Sequence, residues 1–469
     1  MAIPKEILKI KPGNTRVKAT SDPNVYNVIK RTCTTKDGKP TPVELGVIGK
    51  IINKEYIPIT VPEYETDFKF YGTYALCEKL NKDLFISLTK LYKFEDAKRI
   101  YVIASLRAMN KDIKNEEIQI EYKSNFISET YSNCALSPNT ISEFLKRIGA
   151  STTIMEEFMN ARLKEFSKDP IVIDGMLKSN TSDVNIFSEF SRKSRIKGTQ
   201  DLNLMYAYDI EKDEPVASAV YPGNMLDYTA FRDFIKTYPI ENGFLIMDKG
   251  FDDRESKEIM REQSITYLIP TKLTGSIKKL DLSTGFEKSF RFDNDTIRAK
   301  KIVCEDKIYY CYKSTKAKIA QESGYMERVG KSGEYDEEKY LEKERLFGLI
   351  VFECNGDIDL ENVYEAYKRR WQIEELFRAF KNIMDQSEEN VHDTYHIMAS
   401  EFINFISSIM LCRVRNYLKK KKVLEKYSFP IVLNYLSKII KKRKARKKEE
   451  WEDAQTLKYI RELADVLGI

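Results

Sequence analysis

The sequence predicts an α/β protein in which a sheet layered with helices carries acidic residues at its rim. Three observations lead there. Two apolar runs, IVID and LIMD, each end in an aspartate, at Asp174 and Asp248. Around them, strand-like and helix-like patterns alternate along the chain. Hydrophobic residues make up 42% of the sequence, with 28 Tyr and 24 Phe, enough apolar side chain to bury a core and to exclude a disordered chain. At 469 residues, more than one domain is expected.

Residues 1–65 hold short β-like runs (VYNVIKRT, VELGVIGKI, EYIPITV) broken by turn residues such as Lys36-Asp37-Gly38, predicting a small β-rich module. Residues 66–168 turn helical and are expected to form a DNA-binding region. Within them Ser137 can cap a helix that starts at Pro138 and repeats apolar residues at Ile141, Phe144, Leu145 and Ile148. That helix reads either as half of a helix-turn-helix or as ordinary packing. From Pro170 the order is strand (PIVID), two paired strands (LNLMYAYDI, EPVASAVYPGN), helix, strand (GFLIMDKGF), helix, strand (ITYLIP). This predicts a catalytic core over 169–271 and 356–412. Residues 272–355 interrupt it with alternating β patterns, such as IRAKKIVCEDKIYYCYKS, and read as a β-rich insertion. Residues 413–469 read as a basic helical C-terminal region.

Composition narrows the chemistry. Two histidines, His392 and His396, are too few for a multi-histidine zinc site. Seven cysteines without a C-x-x-C pair read as reduced thiols. No run reaches the ~18 apolar residues of a membrane helix, and the N-terminus has no signal-peptide pattern, so a cytoplasmic protein without a membrane role is expected. The net charge is +6, but Arg413–Lys448 alone holds 15 Lys and Arg against one acid, Glu425. Such a block suggests a polyanion partner, or else a solvated helix face.

Acids at the carboxyl ends of neighbouring strands converge on a ligand crevice. Asp174 and Asp248 could hold Mg²⁺ there through carboxylate oxygens, although Asp also ends apolar runs simply as a cap. The segment VYEAYKRRWQIEELFRAFK, residues 363–381, spaces Tyr367, Arg370, Glu374, Arg378 and Lys381 at three and four, so one helix would carry them on one face. Ile373, Leu376 and Phe380 would pack the other side. Taken alone, this pattern also fits a surface helix with ion pairs between Glu374 and its arginines.

The spacing Tyr367-x2-Arg370-x3-Glu374-x6-Lys381 resembles the Y-x2-R-x3-E-x6-K signature of DDE transposases of the insertion-sequence-four type. The surroundings resemble the family too: YPGN, ending in Asn224 and followed by Asp227, and the Asp248-Lys249-Gly250-Phe251 run. The likeness covers roughly residues 165–415. It implies an RNase H-like catalytic core in which Asp174, Asp248 and Glu374 hold two Mg²⁺ ions, with Mn²⁺ able to substitute. It implies further that Tyr367, Arg370 and Lys381 contact transposon-end DNA, and we place Lys249, Asn224 and Arg378 with them. The expected partners are double-stranded DNA, as terminal inverted repeats and target, and a second copy in a paired-end complex. The apolar face of the last helix, with Leu457, Ile460, Leu463 and Leu467, is expected to support that self-association or to cover the core. The expected setting is the bacterial nucleoid. Hairpin-forming relatives use a tryptophan in the insertion, whereas the tryptophans here, Trp371 and Trp451, lie outside it. The alternative reading is a captured transposase that binds DNA without cutting.

Overall fold

A computed structural model describes the chain apart from residues 1–2, 37–38, 60–65, 111–112, 167–168, 181, 183, 195–199, 242, 272–279, 305–306, 384–387, 390–392 and 445–449. The turn at Asp37-Gly38 and His392 lie outside the described residues. Two compact units result: Met1–Lys69 with Ile440–Gln455, and Phe70–Ile439 with Thr456–Ile469.

In the smaller unit, α1 (Lys5–Ile10) precedes β1 (Thr15–Ala19), β2 (Val25–Lys36), β3 (Lys39–Ile52) and β4 (Glu55–Pro58), which pair antiparallel in that order. Ile7, Val17, Val28 and Ile51 form its small apolar core. β5 (Thr66–Phe70) ends this stretch.

The larger unit begins with helices α2 (Gly72–Leu91), α3 (Phe94–Met109), α4 (Ile118–Ser124), α5 (Ile127–Thr130), α6 (Pro138–Gly149) and α7 (Thr152–Phe166). α6 starts where the sequence predicts: the Ser137 hydroxyl accepts from the Thr140 amide, and Ile141, Phe144, Leu145 and Ile148 are buried. Its end comes so close to a later helix that a Cβ on Gly149 would lie 1.8 Å from the Tyr395 carbonyl oxygen. These helices share one apolar core with the sheet that follows. The helical stretch expected to be a separate DNA-binding region is thus packed into the same unit as the sheet.

The sheet contains β6 (Pro170–Asn180), β7 (Glu189–Phe190), β8 (Gln200–Asp209) and β9 (Glu214–Pro222), then, after α8 (Asp227–Thr237), β10 (Phe244–Met247) and, after α9 (Arg254–Glu262), β11 (Thr266–Pro270). β6, β8 and β9 form an antiparallel meander, β10 joins β6 in parallel, and β11 joins β10 in parallel. This is the α/β order read from the sequence. The following segment differs from a separate β-rich insertion. β12 (Lys288–Phe292), β13 (Asp295–Cys304) and β14 (Lys307–Ser314) lead to α10 (Thr315–Ser332), α11 (Glu337–Glu344) and β15 (Leu349–Cys354). β15 pairs antiparallel with both β11 and β14, so these strands extend the core sheet. The charged stretch is helical because Ser314 and Asp336 cap it, each accepting a backbone N–H from three residues on.

α12 (Leu360–Arg369), α13 (Trp371–Ile383), β16 (Glu388–Glu389), α14 (Thr394–Lys420) and α15 (Phe429–Leu436) follow. By length and composition α14 could cross a membrane, yet 89% of its most apolar window is buried inside this unit. It is a core helix. Across it runs a buried polar chain: Lys178 on β6 pairs with Glu401 at 2.6 Å, Asn404 donates to Glu401 at 3.1 Å, and Arg107 on α3 donates to Asn404 at 2.6 Å.

The basic C-terminal region is not the continuous helical region expected. Arg413, Arg415 and Lys419 end α14 and pair inside the chain, with Glu214 and Asp83, with Glu375, and with Asp213 respectively. β17 (Ile440–Lys444) is a strand between β5 and β18 (Glu452–Asp453), and Arg443 pairs with Asp67 at 3.1 Å. α16 (Lys458–Leu467) returns to the larger unit, where Ile460, Leu463 and Leu467 are buried and the Lys79 ammonium donates to the Leu467 carbonyl at 2.9 Å. Of the two roles expected for this apolar face, self-association or covering the core, most of it is used within the chain, and of its four residues only Leu457 stays exposed. The surplus charge is also unevenly shared. The small unit has 19 Lys and Arg against 12 acids, the large one 59 against 60.

The Lys178 and Glu401 side chains are 1% and 3% exposed. Removing one partner strands a buried charge, so Lys178→Met should cost about 3–5 kcal/mol in chemical denaturation. Lys178→Met with Glu401→Leu should recover most of that loss. A single variant within about 1 kcal/mol of wild type would show that the pair does not hold β6 to α14.

Candidate active site

β10 pairs with β6 as far as Met247 beside Ile173, and the next residue on each strand is an aspartate. At Asp248 (φ −80°, ψ 160°) the chain leaves the sheet and enters a tight turn, with the Phe251 amide donating to the Asp248 carbonyl at 3.1 Å. Asp174 does not end its strand as the sequence suggested. β6 continues to Asn180 because β8 pairs with it along its length. Asp174 instead lies where its other neighbour stops, in the crevice opened by the end of β10.

The segment carrying Glu374 is two helices rather than one. At Arg370 the bonding tightens: the Arg370 amide donates to the Tyr367 carbonyl at 3.1 Å and the Ile373 amide to the Arg370 carbonyl at 3.2 Å, both three residues back. α12 is held by β14, whose Tyr312 hydroxyl donates to the Leu360 carbonyl at 2.8 Å. The Tyr364 ring sits 5.0 to 5.7 Å from those of Tyr312, Phe292 and Phe290. At the break, Arg369 donates to the Ile210 carbonyl at 2.7 Å and pairs with Glu211. On α13, Glu375 pairs with Arg415, Ile373 is buried, and Phe377 meets Tyr206 edge-on at 5.8 Å. These anchors bring Glu374 to the two aspartates.

One guanidinium joins the three acids. Arg370 lies 3.7 Å from Asp174, 4.0 Å from Asp248 and 3.0 Å from Glu374. The cluster is graded in exposure: Arg370 and Asp174 are 17% and 22% exposed, Asp248 and Glu374 about half. Asp248 and Glu374 thus form the open, solvent-facing side of the cluster. Burial pushes the Asp174 carboxyl up to about 6; the Gly175 amide and Arg370 oppose the rise, and Asp248 and Glu374 add to it.

The remaining predicted residues divide. The Tyr367 ring packs on Phe352 at 4.3 Å and on the Arg370 guanidinium at 5.6 Å, and burial raises its phenol. Arg370 itself is engaged by carboxylates rather than turned outward to a phosphate. Lys249 is exposed beside Asp248, Asn224 is exposed in the turn after β9, and Arg378 is exposed on α13. The Lys381 side chain, like those of Leu376 and Phe380, lies outside the described residues. Sequence reasoning missed Tyr312, Tyr364, Arg369 and the Glu375–Arg415 pair as positioning residues. Only the alternation of aromatics in β14 hinted at any of them.

Among the described residues, no three Asp, Glu, His or Cys side chains are close enough to hold a metal ion. The Arg370 guanidinium stands among the three carboxylates. The donor set still suits a hard divalent cation: oxygen ligands only, already turned toward a single cationic group.

Residues 168–394, which include all three acids, match the family described as the transposase DDE domain. The similarity to that domain spans β6 to the start of α14. In solved structures, the piggyBac transposase synaptic complex with hairpin DNA is similar at 10% identity over 85% of each chain, with a TM-score of 0.41. The Mos1 transposase paired-end complex with the left transposon end is similar at 10% identity over 33% of this chain and 58% of that one, with a TM-score of 0.16. Comparison with curated protein sequences gives no match.

The raised carboxyl of Asp174 has a stability signature. Its ionised form costs the folded state more than the unfolded one, fully above about pH 6 and not at all below its ordinary value near 4. In chelator, Asp174→Asn should be more stable than wild type by about 1–3 kcal/mol at pH 7.5, the gain vanishing towards pH 4. A variant less stable at pH 7.5, or a difference flat with pH, would contradict the burial of this charge.

Proposed function

We propose that the chain is a DNA transposase of the insertion-sequence-four type, on an RNase H-like core, which cuts and joins the ends of its element. The observation that carries this reading is the convergence of Asp174, Asp248 and Glu374 on one cationic group within 4.0 Å, inside the segment that matches the DDE domain. Two divalent metal ions, Mg²⁺ or Mn²⁺, bound by these carboxylates would supply an activated water and stabilise the leaving 3′ oxygen.

The chain's own residues supply the rest. Asp174 and Asp248 come from the point where the parallel pairing of β6 and β10 ends, while Glu374 arrives from α13 and completes the set. The half-exposed Asp248 and Glu374 leave the open side for a phosphodiester, and Lys249 beside Asp248 offers a positive charge to the incoming backbone. Arg370, at the break between α12 and α13, and Arg378 and Lys381 on α13 are the further cations of the signature segment, and Asn224 supplies a polar contact from its turn. The Tyr367 ring lies against the Arg370 guanidinium. The substrate is duplex DNA carrying the element's terminal inverted repeats, then target DNA, with two copies of the chain holding paired ends.

Asp174→Asn, Asp248→Asn and Glu374→Gln should each lower Mg²⁺-dependent nicking of an end-bearing duplex by at least about 100-fold, with band-shift affinity for that duplex kept within a few-fold. Any one of them nicking at close to the wild-type rate would remove that residue from the catalytic set.

A further inference from the structure

We propose that Arg370 is an internal counter-ion that occupies the cation position of the free protein and links metal loading to DNA binding. The inference rests on the assignment of Asp174, Asp248 and Glu374 as metal ligands. Three carboxylates held together repel one another, and the folded chain has to neutralise them. Arg370 does so with a permanently charged planar group, its Nη1 facing Asp174 and Asp248 and its Nη2 donating to Glu374 at 3.0 Å. A divalent ion needs the same oxygens at ~2.1 Å, and a guanidinium 3 to 4 Å from those oxygens repels it. The two cations therefore compete for one position.

Arg370 is built to leave. It sits at the junction of α12 and α13, where three-residue hydrogen bonds replace the helical ladder, and its carboxylate partners Asp248 and Glu374 are half-exposed. A phosphate oxygen at the open side is an alternative partner for its forked N–H groups, one that carries no requirement for the three acids. DNA that draws Arg370 away thereby frees the carboxylates for metal. By reciprocity, metal that displaces Arg370 presents it to DNA. The free protein would then hold its metal weakly and load fully on engaging DNA.

Mn²⁺ binding to the full chain, read by electron paramagnetic resonance of the free ion, tests this without any turnover. In the absence of DNA, Arg370→Gln should bind Mn²⁺ about tenfold more tightly than wild type, and Arg370→Lys should differ less. Adding Asp248→Asn to Arg370→Gln should abolish the gain. In wild type, adding a duplex from the DNA flanking the coding sequence should tighten Mn²⁺ binding by a similar factor once the ion taken up by the duplex alone is subtracted, a measurement independent of how well any variant folds. Unchanged or weaker Mn²⁺ binding in Arg370→Gln, with Asp248→Asn still losing the ion, would overturn the counter-ion role and leave the metal site standing. Mn²⁺ binding insensitive to Asp248→Asn in every background would overturn the metal site itself, and the proposal with it. A wild-type affinity that duplex leaves unchanged would overturn the link between metal loading and DNA binding and leave the metal site standing.

Discussion

The repulsion between three carboxylates, and its neutralisation by the Arg370 guanidinium, is the constraint that organises this molecule. Asp174, Asp248 and Glu374 come from a strand, a strand end and a helix separated by up to 200 positions, and nothing local favours placing their charges together. The sheet brings two of them side by side because β10 stops one residue short of Asp248 while β6 runs on. Glu374 needs more. α12 and α13 must be held against the core by contacts strong enough to keep an acid near two others, and Arg370 must sit between them.

Those contacts explain the extended sheet. β14 provides Tyr312 and the aromatic wall for Tyr364, and β15 joins β14 to the core strand β11. The segment between the second aspartate and the glutamate therefore orients the glutamate's helix as well as connecting to it. On the other side, α14 holds α13 through Arg415 and β9 through Arg413 and Glu214. Much of the cationic start of the C-terminal region is spent on this internal scaffolding, while the chain's surplus positive charge resides in the small unit.

Much of this was legible in the sequence, and the exceptions have physical causes. Alternation and apolar runs marked the order β6, β8, β9, β10, β11, because these strands are buried on both faces or pair with immediate neighbours. The cap at Ser137 was readable for the same local reason. Periodicity did not show the break at Arg370, since helical spacing of three and four persists across a tightened turn. Nor did it show that β6 continues past Asp174: pairing with β8, whose partners lie 20 to 30 positions away, lengthens the strand beyond its apolar run. The basic C-terminal block was misread as continuously helical because charge density says nothing about secondary structure or about partners inside the chain. Arg413 and Arg415 found acids inside the chain, and Ile440–Lys444 found β5. Type and spacing left the candidate acids open to bland readings and only the likeness to the family signature singled them out, while the position of Arg370 among them is a property of the folded site alone.

The most direct test of the central claim, that these three acids are one metal-binding site, is a crystal structure of the full chain with Mn²⁺, read by the ion's anomalous scattering. The account predicts Mn²⁺ within ~2.1 Å of carboxylate oxygens from Asp174, Asp248 and Glu374, with the Arg370 guanidinium turned out of the cluster. Mn²⁺ bound elsewhere, while the guanidinium keeps its place among the three acids, would contradict it.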